Sequence, residues 1–152
     1  MIVLDTNVVS EPLKPNPDPA VLIWLDSQEP HTLYLTAINL AELFAGVEAL
    51  RAGRKKTQLH QAINQQLLPL FAGRILPFDQ QAAENFARIN AKAQAEGAPI
   101  GFADCAVAAI ASANGFLLAT RNVRDFDDVG TVVVDPRIPQ IASPSELPPP
   151  GL

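Results

Sequence analysis

Short apolar segments rich in β-forming residues alternate with longer stretches of helical periodicity, and this alternation restricts the fold more than any other feature of the chain. Ile2-Val-Leu, Leu33-Tyr-Leu-Thr36, Arg74-Ile-Leu-Pro-Phe78, Leu117-Leu-Ala-Thr120 and Thr131-Val-Val-Val-Asp135 read as strands. Strands that are apolar on both sides belong in the interior of a sheet covered on both faces. The expected fold is therefore α/β, a single domain with a mostly parallel sheet of four to five strands sandwiched between helices. In open sheets of this kind, functional groups gather at the carboxyl ends of the strands. Asp5 and Thr120 stand at two such ends.

Between the strands, Pro12, Pro15, Pro17 and Pro19 break up the chain before a short helix over about residues 20–26. Over about 37–52, Ile38, Ala41, Ala45 and Ala49 line up at helical spacing as the periodic face of a helix that Gly53 is placed to end, forming a hairpin with a second helix over about 55–70. A further helix over about 79–96, capped by Asp79, presents Ala83, Phe86, Ala87 and Asn90 at helical spacing. After Gly97–Gly101 a largely apolar helix runs to about Asn114. The domain is expected to span residues 1–135, with a proline-rich tail over 136–152, extended or partly disordered.

Three acids stand alone in apolar surroundings: Asp5 after the first strand, Glu42 in Ala37-Ile-Asn-Leu-Ala-Glu-Leu-Phe-Ala, and Asp104 in Ile100-Gly-Phe-Ala-Asp-Cys-Ala-Val. Ionising an acid among core residues is costly unless a positive charge meets it, and the chain places no cation beside any of them. A lone acid after a strand also serves as a helix cap, and one near a helix start complements the dipole. Glu42, several residues inside its helix, fits neither role well. A doubly wound sheet allows the three to converge, and a divalent ion is the simplest group to neutralise them. Carboxylate oxygens suit Mg²⁺ or Mn²⁺, and the absence of a His or Cys cluster argues against zinc. Such an ion supports phosphodiester hydrolysis.

The 152 residues carry a net charge of −5, which argues against a protein that grips nucleic acid through bulk positive charge. Phosphate-loop, dinucleotide and nucleophile-elbow motifs are absent from the sequence. The single cysteine, Cys105, excludes a disulfide within the chain and reads as a buried thiol. No apolar run is long enough to span a membrane and the amino terminus lacks the basic region of a secretory signal, so a cytoplasmic protein is expected. His31 and His60 read as ordinary surface residues, and Trp24 and Tyr34 as packing residues.

The chain resembles the PIN-domain nucleases and, within them, the VapC-type toxins of bacterial toxin–antitoxin pairs, on the FitB-like branch. The resemblance is carried by Ile2-Val-Leu-Asp-Thr-Asn-Val-Val-Ser-Glu-Pro12, Ala41-Glu-Leu, Leu68-Pro-Leu-Phe-Ala-Gly-Arg-Ile-Leu-Pro-Phe78, Ala103-Asp104 and Ala119-Thr-Arg-Asn-Val-Arg-Asp-Phe126. It implies a Mg²⁺- or Mn²⁺-dependent ribonuclease with Asp5, Glu42 and Asp104 as metal ligands. It also implies a homodimer neutralised by a small antitoxin, with DNA bound only indirectly through that antitoxin.

Many members of the family carry a fourth acid directly after Thr-Arg, where this chain has Asn122; others have Asn there and an aspartate three residues on, as Asp125 is here. Asp125 is therefore the candidate fourth acid, with a solvated loop residue as the alternative. Thr6, Thr120 and Asn122 are expected to support the acids, each threonine serving equally well as a cap. Arg121 and Arg124, and below them Arg51, Arg54, Lys55 and Lys56, are candidate contacts for RNA phosphate or an acidic antitoxin segment. A non-catalytic PIN-fold module that binds RNA or protein is the alternative function.

Overall fold

The computed structural model describes residues 1–127 and 129–139. Its sheet is parallel throughout and has five strands: β1 (Ile2–Leu4), β2 (Leu33–Thr36), β3 (Ile75–Leu76), β4 (Leu117–Ala119) and β5 (Val133–Val134). Their order is β3-β2-β1-β4-β5, so the chain winds outward from β1 in one direction and then returns to its other side. The reversal falls between β1 and β4, and the crevice above that point is where open α/β sheets place their ligands.

Successive strand residues serve opposite faces. Leu4, Leu35 and Ala119 pack against α1 (Thr6–Val9), α2 (Pro19–Asp26), α3 (Ala37–Glu48) and the segment following α4 (Arg54–Ala62), where Ile63, Leu67 and Phe71 close the layer. A π-helical turn, Ile63–Leu67, joins α4 to the short α5 (Leu68–Leu70). Val3 and Leu118 serve the other layer, where α6 (Gln80–Ala95) and α7 (Phe102–Asn114) pack together. Cys105 to Ala111 are fully buried, so the middle of α7 is enclosed on all sides, and the helix ends at Gly115 in the left-handed conformation, φ 67°.

Two helical faces differ from the expected ones. In α3 the inward residues are Asn39, Leu43 and Val47, while Ala41, Ala45 and Ala49 are exposed. Burying a Leu or Val contributes about 1.5–3 kcal/mol, far more than an alanine methyl, so the bulkier stripe takes the core. In α6 the inner residues are Ala82, Phe86 and Ile89, with Ala83 and Ala87 exposed. Gly53 does not end α3, which stops at Glu48; its φ of 151° instead starts α4. Asp79 caps α6 as expected, accepting the Ala82 N–H at 2.9 Å.

Cys105 is a buried thiol, pushed up to a pKa of about 11 by burial. His31 and His60 are exposed. Trp24 is buried and Tyr34 packs its ring on Phe116, centroids 4.8 Å apart. Most of the proline-rich tail, residues 140–152, lies outside the described residues.

Candidate active site

Because β1 and β4 pair in register, with Leu4 opposite Ala119, the residues that leave the two strands emerge side by side. The Asp5 N–H donates to the Ala119 carbonyl at 2.8 Å, and the Thr120 hydroxyl donates to Asp5 Oδ2 at 2.8 Å. Asp5 also caps α1, its Oδ1 accepting the Thr6 N–H at 2.8 Å. The cap role and the site role coincide in one carboxylate.

Glu42 is brought in from α3 by a relay of polar side chains. Thr36 and Asn39 form a reciprocal capping box that fixes the start of α3. Asn39 Nδ2 donates to Thr6 Oγ1 at 3.0 Å, and the Thr6 hydroxyl donates to Glu42 Oε1 at 2.8 Å. Asn39 and Glu42 share a helical face at i,i+3, so fixing one aims the other.

Asp104 arrives from the opposite layer, in the first turn of α7. It lines an open groove of about 400 Å³ together with Asp125, Arg124 and Lys92. Asp125 is exposed on the 3-10 turn Val123–Phe126, which the buried Phe126 ring anchors to the core.

The electrostatics show that the acids share one region. Burial pushes Asp5 above the usual carboxylate range and Glu42 adds to the shift, outweighing the Thr120 and Thr6 hydrogen bonds. Asp104 is also pushed up, first by burial and then by the charges of Asp5 and Asp125. Among the described residues, no group of three or more His, Cys, Asp or Glu side chains stands close enough to hold an ion in this arrangement. The candidate donors fit a hard divalent cation: all are carboxylate oxygens, and the burial that raises Asp5 and Asp104, with the smaller repulsion from neighbouring acids, is what a nearby cation offsets.

The remaining sequence candidates divide. Asn122 meets Thr120 through its backbone, its N–H donating to Thr120 Oγ1 at 3.1 Å. Arg124 lines the groove, whereas the Arg121 guanidinium is engaged elsewhere, 2.8 Å from the buried Glu11 and 4.0 Å from Asp18. Arg51, Arg54, Lys55 and Lys56 cluster at the α3–α4 junction, where Lys56 pairs with Glu48 at 3.3 Å, and none of the four lines the groove.

Three residues escaped the sequence reading. Asn7 bridges the two strand ends, donating to Thr120 Oγ1 at 3.3 Å and accepting the Arg121 N–H at 3.1 Å. Asn39 and Glu11 are both fully covered. The signal for the two asparagines was their proximity to an acid in an apolar run; for Glu11 it was the i,i+3 spacing to Lys14.

Residues 2–132, nearly the whole described chain, match the PIN domain family. The chain belongs to the PIN-domain family. It is 46% identical over 136 residues to VapC ribonuclease Y4jK of Sinorhizobium fredii, covering 90% of this chain and 97% of the relative. Among solved structures, FitAcB from Neisseria gonorrhoeae superposes with a TM-score of 0.85 at 46% identity, covering 90% of this chain and 98% of that one. FitAB bound to the IR36 DNA fragment gives a TM-score of 0.88 at 43% identity, over 94% and 100% of the two chains. No helix among the described residues of this PIN domain is long and apolar enough to cross a membrane.

Proposed function

We propose that the chain is a metal-dependent endoribonuclease that hydrolyses RNA phosphodiester bonds and acts as the toxin of a toxin–antitoxin module in the cytoplasm. The observation that carries this reading is the set of pairwise charge influences, Glu42 on Asp5 and both Asp5 and Asp125 on Asp104, beside an open groove lined by Asp104 and Asp125. The names of the similar proteins, a VapC ribonuclease and the FitAB complex, support it.

Mg²⁺ or Mn²⁺ held by Asp5, Asp104 and Glu42 would supply stabilisation of the negative charge on a phosphodiester under attack and lower the pKa of an attacking water. The chain's own residues prepare for this. Thr120 and the Thr6 N–H hold both oxygens of Asp5, and the Thr6 hydroxyl holds one oxygen of Glu42. Asp125, exposed beside Asp104, completes the acidic set in place of an acid at Asn122. Arg124, on the groove wall, is placed to meet an RNA phosphate. The partners that accompany this function are a second copy of the chain and a small antitoxin, through which any DNA is bound.

The test is incubation of the pure, antitoxin-free chain with structured RNA, with and without Mn²⁺. Internal cleavage that requires the metal and stops on chelation is expected. RNA binding without cleavage at any metal concentration would leave the non-catalytic binding module in its place.

A further inference from the structure

We propose that Glu11 is a positioning residue for this site, holding the segment from Thr120 to Asp125 against Asp5 through its ion pair with Arg121. The role presupposes the nuclease reading only for the activity it governs.

The Glu11 carboxylate is 2% exposed and meets three donors: Lys14 Nζ and Arg121 Nη1 reach Oε2, and the Asp18 N–H reaches Oε1, each at 2.8 Å. A buried carboxylate with three charge-assisted or backbone donors has one orientation. Two of those donors fold the proline-rich stretch between α1 and α2 onto itself. The third comes from the far side of the sheet switch point, directly after β4.

Arg121 is thereby held at several points. Its guanidinium is on Glu11, its N–H on Asn7 Oδ1 at 3.1 Å, and its carbonyl accepts Arg137 Nη2 at 2.8 Å. On one side of it Thr120 donates to Asp5; on the other, the Asn122 N–H returns to Thr120 and the Asp125 N–H donates to the Asn122 carbonyl at 3.0 Å. Two of the contacts that hold Arg121 reach beyond α1 into the α1–α2 connection by a side-chain charge, the one to Glu11 at 2.8 Å and the longer one to Asp18 at 4.0 Å. Glu11 makes no hydrogen bond to Asp5, Glu42, Asp104 or Asp125, so its effect on them passes through Arg121.

The experiment uses the full chain and separates positioning from mere stability. Glu11→Gln leaves Arg121 with a neutral side chain at 2.8 Å and only the more distant Asp18 carboxylate, and is expected to destabilise; the double variant E11Q/R121M removes both charges of the close pair and is expected to recover the native melting temperature. In the folded double variant, the amides of Arg121, Asn122 and Asp125 should exchange about tenfold faster or more while sheet amides keep their native rates. The kcat for RNA cleavage should fall about 10–100-fold with little change in KM, the range typical of losing a residue that orients a ligand. Arg121→Lys, which keeps the charge, should restore part of kcat. Native exchange rates, or a native kcat, in the stable double variant would overturn the proposal. If the double variant does not fold, Arg121→Met, which leaves Glu11 with Lys14 and the Asp18 N–H, gives the same two readings against the native chain. If the native chain cleaves no RNA, the nuclease reading fails, and the exchange rates alone decide whether Glu11 holds the segment.

Discussion

Asp5 and Glu11 lie six residues apart and are almost equally hidden, 4% and 2% exposed, yet the protein treats their charges in opposite ways. Glu11 is held below the usual carboxylate range, first by the Lys14 hydrogen bond and then by the Asp18 backbone, with Arg121 adding its charge. Asp5 is pushed up by burial and by Glu42, with only neutral donors to offset them. One acid is neutralised by charges within the fold, and the other meets no counter-charge among the described residues. Burial alone therefore does not mark a functional acid; what marks it is burial without a counter-charge.

The contrast is broken most strongly at Asp104, raised like Asp5 by burial and by neighbouring acids. Asp104→Asn is expected to lower metal-dependent RNA cleavage by about 10²–10³-fold, the scale of several kcal/mol of charge stabilisation at the reacting phosphate. The measurement is kcat/KM at saturating Mn²⁺, and a native value would remove Asp104 from the site. Thr120→Val comes next: it deletes the hydroxyl that holds Asp5 Oδ2 while keeping the shape, and a loss of about 10–100-fold in activity or Mn²⁺ affinity is expected.

At Glu11 the expected loss is in stability. Glu11→Gln removes one member of a buried pair whose other member, Arg121, keeps a side-chain exposure of 26%, so a cost of about 2 kcal/mol is expected, below the range for fully enclosed pairs. The sign with pH follows from the depressed pKa. Glu11 contributes stability above the ordinary carboxylate value, and that contribution is lost as pH falls through its lower folded value. Urea unfolding of native and variant chains should therefore differ at pH 7 and converge in strong acid.

The sequence made the strands legible and singled out Asp5, Glu42 and Asp104 for a common reason: each is local, a run of β-branched or aliphatic residues or an acid among them. The faces of α3 and α6 were less legible. Ala41, Ala45 and Ala49 keep helical spacing as faithfully as Asn39, Leu43 and Val47, and side-chain volume rather than period decides between the stripes. The support of Glu42 by Thr6 and Asn39, and of Arg121 by Glu11, links residues 36 and 110 positions apart, pairings that only the folded sheet creates. Arg121 shows the consequence: from its neighbours it resembled a phosphate contact, and in the fold its charge is turned away from the groove toward Glu11.

The smallest expected effect sharpens the contrast furthest, because it reverses the direction of the first. Asp104→Asn should make the metal-free chain slightly more stable at neutral pH even as it destroys cleavage. Asp104 has a folded pKa above its ordinary 3.8, raised by burial and by Asp5 and Asp125, so its ionisation opposes folding. The stability it carries is complete below 3.8 and is lost as pH rises through the folded value. Asparagine does not ionise and escapes that loss. Solvent screening at this partly exposed position, and the loss of an acid from the first turn of α7, keep the gain to roughly 1 kcal/mol or less, a few degrees in Tm. Thermal melts with a chelator should show the variant ahead at pH 7 and level near pH 3. Adding Mg²⁺ should reverse the order, because an ion that binds only the folded native chain stabilises it and finds one ligand fewer in the variant. A native chain that melts higher than the variant with the chelator present would mean that Asp104 already has its counter-charge within the fold, as Glu11 does.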